Sequence, residues 1–153
     1  MASSLTTPRW THIAIPCGDI DRSTAFYLAY TPLVVLAERR DDDGRTVWLS
    51  HDGQVDSPFV LVLSMVFKDA GRPQPTMAPF AHIGIEVPER ADVDAVADRA
   101  RADGCLVWEP RDMPDPIGYI CALHDPDGNV IEISHDQGVY AAVQSRWGQR
   151  PAG

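Results

Sequence analysis

Two histidines and one glutamate occupy strand positions that an apolar core would otherwise fill. Residues 10–15 read WTHIAI, residues 80–85 read FAHIGI and residues 129–134 read NVIEIS. Side chains alternate faces along a strand, so Thr11, Ile13 and Ile15 share one face while Trp10, His12 and Ala14 share the other. The same alternation sets Ile83 and Ile85 against Phe80, His82 and Gly84, and sets Ile131 and Ile133 against Val130, Glu132 and Ser134. A carboxylate in the middle of an apolar strand is expensive to bury unless a cation or hydrogen-bond donors compensate it. Two neutral imidazoles and one carboxylate make a 2-His-1-carboxylate ligand set, which keeps coordination positions open for water or substrate. On this reading His12, His82 and Glu132 are metal ligands. Fe(II) or Mn(II) suits the set best, and Zn(II) or Ni(II) is also accepted. The alternative for the same residues is a polar cavity without metal, because a lone strand histidine is more often a hydrogen-bonded core residue.

The elements that must position these residues follow from an internal repeat. WTHIAI and FAHIGI lie 70 residues apart, and so do LVLS (61–64) and IEIS (131–134). Two anchors sharing one period imply two tandem modules. Module one runs over about residues 8–68 and module two over about 80–137; the Gly/Pro-rich stretch DAGRPQPTMAP (69–79) links them. In module one, Asp19 or Asp21 caps a helix carrying Ala25, Phe26 and Leu28 that stops at Thr31-Pro32. Strands LVVLAE (33–38), TVWLS (46–50) and FVLVLSMV (59–66) follow, separated by turn-rich segments. Module two repeats the order. Val93, Val96, Ala97 and Ala100 form a helical stripe ended by Gly104, and then come strands CLVWEP, GYICALH and NVIEIS, the last after a DPDG turn. The expected fold is α+β: two tandem βαβββ modules forming a mixed, curved eight-stranded sheet around a cavity. A short amphipathic tail helix is expected over about 138–150, with Val139, Val143 and Trp147 at four-residue spacing.

Composition narrows the partners. The chain has 153 residues, 44% apolar and 23% charged, enough for one compact domain with its own core. Its 22 acidic and 13 basic residues give a formal charge of -9, which repels phosphate backbones and anionic lipid, so neither nucleic acid nor a membrane surface is the expected partner. No apolar run reaches the roughly 18–20 residues of a membrane span, and MASSLTTPRW has no signal-peptide core, so a cytoplasmic location is expected. Cys17, Cys105 and Cys121 are odd in number and lack CxxC spacing, which reads as free thiols.

With its paired HIAIP and HIGIEV strands, a helix containing AFY (25–27) and DPDGNVIEI (125–133), the sequence resembles the vicinal oxygen chelate superfamily from about Trp10 to His135. That superfamily groups glyoxalase I, fosfomycin-resistance enzymes, extradiol dioxygenases and bleomycin-resistance binding proteins. The resemblance implies ligands on the first and last strands of each module, which map to His12, Val62, His82 and Glu132, with Val62 unable to ligate. Where ring-cleaving dioxygenases carry a tyrosine and an acid/base histidine, this chain has Ala122 and Phe67. It further implies chelation of two neighbouring substrate oxygens by a divalent cation acting as a Lewis acid, and a homodimer.

Trp10, Trp48 and Val62 are candidates to line a substrate cavity, with Arg111 and Met113 contributed by RDMPDP. Tyr119 and Glu86 are candidate acid/base residues, Glu86 four positions beyond His82 on the same face; His51, His124 and His135 read as exposed loop residues. The leading expectation is a metal-dependent lyase, isomerase or dioxygenase acting on a small molecule. The alternative is a metal-free protein of the bleomycin-resistance type that sequesters a small molecule or drug.

Overall fold

The computed structural model describes residues 12–53, 59–77, 81–139, 141, 142 and 145. The chain divides into two compact units, residues 1–75 and 76–153, and the division falls inside the Gly/Pro-rich stretch. Both units have βαβββ order. The first contains β1 (His12–Pro16), α1 (Ile20–Tyr30), β2 (Leu33–Arg40), β3 (Gly44–His51) and β4 (Val60–Val66). The second contains β5 (His82–Glu86), α2 (Arg90–Ala102), β6 (Leu106–Met113), β7 (Gly118–His124) and β8 (Val130–His135).

The strands form two four-stranded sheets, ordered β1-β4-β3-β2 and β5-β8-β7-β6. These are the eight strands of the expected α+β fold of two βαβββ modules, four in each mixed sheet. β1 pairs in parallel with β4 and β5 with β8, so each first strand is an edge of its own unit's sheet. The remaining pairings are antiparallel.

In the first unit Asp19 is the helix cap, its carboxylate accepting from the N–H groups of Asp21 and Arg22. The helix carries Ala25, Phe26 and Leu28 as expected, and its buried stripe is Ile20, Ser23, Tyr27 and Tyr30; Leu28 is 45% exposed. This stripe covers Val47, Leu49, Leu61 and Leu63, the inward-facing residues of β3 and β4. In the second unit Val93, Val96, Ala97 and Ala100 are the buried face of α2, as their spacing requires. A capping box between Glu89 and Asp92 starts that helix, and Gly104 at φ 73° follows its end. Ile83, Ile85, Leu123, Ile131 and Ile133 supply the sheet side of this core.

The DPDG turn is held from inside. The Asp125 carboxylate accepts from the backbone N–H groups of Asp127 and Asn129 and from Asn129 Nδ2, while Asn129 Oδ1 accepts from Met77 N–H at 3.1 Å. Both side chains are buried. None of Cys17, Cys105 and Cys121 is in a disulfide. No helix among the described residues is long and apolar enough to cross a membrane. The expected tail helix over 138–150 falls for the most part outside the described residues.

Candidate functional site

Alternation gives the second sheet a face covered by α2 and an open face. The register places Trp108 opposite Ala122, Ala122 opposite Glu132 and Glu132 opposite Gly84, one transverse row across all four strands. Glu132 thus stands between two small neighbours. It is only 6% exposed, although it lies on the face that α2 does not cover.

His82 sits two residues before Gly84 on the same face, and its Nε2 lies 3.6 Å from Glu132 Oε2. That separation is too long for a hydrogen bond. Two donors each about 2.1 Å from one cation at a tetrahedral angle stand about 3.4 Å apart. The pair therefore has the donor chemistry to hold a divalent cation, at a separation slightly longer than that tetrahedral spacing. The other Glu132 oxygen accepts from Gln137 Nε2 at 3.2 Å, and Gln137 N–H donates to Glu86 Oε1 at 2.9 Å. Trp108 packs edge-on against the His82 ring with centroids 5.9 Å apart, and the Arg111 guanidinium lies 5.5 Å from the Trp108 ring centroid. Among the described residues Arg111 has no carboxylate within ion-pair range. Arg90 and Arg101 differ, being paired with Asp112 and with Asp98 and Glu109 respectively.

Tyr119 is on the other side of the sheet. It shares the α2 face with Cys121 and Leu123, its hydroxyl donates to Asp94 at 2.6 Å and the Arg90 guanidinium lies 3.5 Å from its ring centroid. The hydrogen bond to Asp94 holds the phenol above its ordinary range. The structure does not bring Tyr119 to His82 and Glu132. Met113 lines a separate pocket of about 300 Å³ with Arg90, Asp112, Tyr119 and His135. Burial pushes the Cys121 thiol up to about 12.

In the first unit His12 is exposed at the start of β1, and Val62 is 6% exposed opposite Ala14 and Trp48. Trp48 is half-buried on the face away from α1, and Trp10 lies outside the described residues. His51, His124 and His135 end β3, β7 and β8 rather than lying in loops. Among the described residues no group of three or more His, Cys, Asp or Glu side chains is arranged to hold a metal ion.

The sequence profile of the Glyoxalase/Bleomycin resistance protein/Dioxygenase superfamily matches residues 9–133. The chain belongs to this superfamily. A Pseudomonas aeruginosa protein named uncharacterized protein PA2024 is 38% identical over 132 residues, covering 86% of this chain and 91% of that one. A probable lactoylglutathione lyase of Vibrio cholerae is 24% identical over 134 residues, covering 87% and 94%. Among solved structures, the trypanothione-dependent glyoxalase I of Leishmania major aligns with a TM-score of 0.62 and 25% identity over 94% of this chain and 100% of that one.

Against this superfamily background, sequence reasoning missed two residues of the open face, Trp108 and Gln137. Trp108 carried a signal of sorts, an aromatic three residues before an arginine. Gln137 carried none, because a turn after β8 brings it back.

Proposed function

We propose that this protein is a divalent-metal-dependent enzyme of the glyoxalase type, a lyase or isomerase that binds a small substrate through two neighbouring oxygens. The observation that carries this reading is the buried Glu132 carboxylate with Oε2 3.6 Å from His82 Nε2. A carboxylate kept from water beside an imidazole it does not hydrogen-bond is costly in a merely structural strand, and a cation between the two accounts for it. By the sequence repeat, His12 is the residue of the first unit that matches His82. Such a cation would supply Lewis-acid stabilisation of charge developing on substrate oxygen.

The chain's own residues supply the rest. Glu86 is an exposed carboxylate on the His82 face, and one of its oxygens is held by Gln137 N–H, which supports it as the group that exchanges a proton with substrate. The Arg111 guanidinium lying over Trp108 supports it as the group that meets an anionic substituent. Lyase or isomerase chemistry is favoured over ring cleavage because Ala122, with no proton to offer, lies directly opposite Glu132. The Vibrio and Leishmania relatives, by their names, lie on the glyoxalase side.

The test is metal analysis of the purified chain after loading with Fe(II), Mn(II), Zn(II) or Ni(II). Near one equivalent is expected for the wild type, with loss in both His82→Ala and Glu132→Ala. Unchanged metal content in either variant would refute the assignment.

A further inference from the structure

The chain leaves β8 at His135, and Asp136 takes φ 56°, the left-handed region that residues other than glycine seldom enter. Gly138 N–H then closes on Pro116 O at 2.8 Å. Between these two fixed points Gln137 is turned back over the open face, where one residue donates to two carboxylates: backbone N–H to Glu86 Oε1 and side-chain Nε2 to Glu132 Oε1. Backbone strain of this kind persists where surrounding contacts over-determine it, often at functional sites.

We propose that Gln137 is a positioning residue for the metal ligand Glu132. Its amide occupies Oε1, so the carboxylate turns Oε2 toward His82, and its backbone tethers Glu86 beside the same site. This rests on the metal reading above. A neutral amide suits the task because it donates a hydrogen bond without adding charge, whereas a carboxylate at 137 would place a third negative group beside Glu86 and Glu132. Hydrogen-bond partners of metal ligands orient them, and losing one costs metal affinity roughly 10- to 100-fold.

The experiment uses the full chain, stripped with a chelator, as wild type, Gln137→Ala, Gln137→Met and Glu132→Ala. Gln137→Met keeps the length and apolar stem of the side chain but has no donor. Each protein is titrated with Mn²⁺ for Kd and with Co²⁺ for its visible absorption bands, and the metal-free Tm is recorded. Both Gln137 variants should bind Mn²⁺ about tenfold more weakly and show altered Co²⁺ bands, with the metal-free Tm lowered by no more than roughly 3–12 °C, the loss of one hydrogen bond to a charged group. Wild-type Kd and bands in both, with binding lost in Glu132→Ala, would overturn the role of Gln137 and leave the metal reading standing. A large fall in metal-free Tm in both variants, with unaltered Co²⁺ bands, would assign Gln137 to fold maintenance and overturn the proposal. Metal retained by Glu132→Ala, or not bound by wild type, would overturn the metal reading and this proposal together.

Discussion

Replacing Glu132 with valine should make the metal-free protein more stable and the metal-loaded protein comparatively less so. The residue is only 6% exposed, so its charge forgoes most of its hydration, at a cost of several kcal/mol. The return in the metal-free state is one amide donor at 3.2 Å, and a hydrogen bond to a charged group is worth about 1.5–3 kcal/mol. Valine at this place is a tested solution, because Val62 occupies the matching register position in the first unit at the same 6% exposure. Burying a valine side chain returns about 1.5 kcal/mol, and the freed Gln137 amide is open enough to be hydrated. The net expectation is a gain of about 2 kcal/mol, or roughly 4–8 °C in Tm for a chain of this size. Metal reverses the order: Mn²⁺ at 100 times Kd stabilises the wild type by about 2.7 kcal/mol and the variant not at all. Calorimetric melts of both proteins, with chelator and with Mn²⁺, read the crossover directly. A metal-free variant melting several degrees below wild type, or one still shifted by Mn²⁺, would refute the reasoning, because the carboxylate would then be a structural anchor or no ligand.

Two further outcomes follow from the buried polar and thiol groups of the second unit. Asp125→Ala strands Asn129 N–H and Nδ2 in the interior and should cost about 3–5 kcal/mol, roughly 6–20 °C in Tm by thermal melt; a shift under about 2 °C would show the turn to be held by other contacts. Cys121, fully buried with its thiol pushed up to about 12, should resist iodoacetamide at pH 8 in the folded protein while the partly exposed Cys105 is alkylated. The thiolate fraction rises with pH, so Cys121 labelling should increase toward alkaline pH and become fast on unfolding. Equal labelling of the two in the native state at pH 8 would count against the burial.

Much of this was legible in the sequence, and the exceptions have identifiable physical causes. α2 was readable because its four apolar residues repeat at helical spacing and nothing else competes for the contact. The buried stripe of α1 was not legible, because Ser23 and Tyr30, both polar by type, are buried, while Leu28 faces water. Glu132 was conspicuous as a carboxylate between isoleucines. Trp108 was not, because β6 departs from regular pairing on either side of it. In a regular strand Trp108 and Arg111 would point to opposite faces; the irregularity brings the guanidinium over the indole. Tyr119 followed plain alternation onto the α2 face, and its separation from Glu132 could have been counted in advance. Gln137 depends on one backbone angle at Asp136, which composition and periodicity do not encode.

The repeat also shows how unequal the two sheets have become, and the inequality can be tested. Seventy positions before His82, Glu86, Glu132 and Gln137 stand His12, Pro16, Val62 and Phe67. One histidine is kept, and every carboxylate and amide around it has become apolar. The register adds that the place of Ala122, opposite the ligand position, is taken by Trp48 in the first unit. Restoring the carboxylate alone by Val62→Glu should therefore not restore a second pair of ligands. The new charge would sit at a 6% exposed position with an indole across from it, and no glutamine stands at the position equivalent to Gln137 to donate to it. An uncompensated buried charge of this kind costs about 3–5 kcal/mol, or roughly 6–20 °C in Tm, and Mn²⁺ affinity should stay at the wild-type value. If Val62→Glu instead keeps the wild-type Tm and binds Mn²⁺ more tightly, the apolar shell of the first unit is no barrier to ligation, and Gln137 is not what makes Glu132 a workable ligand.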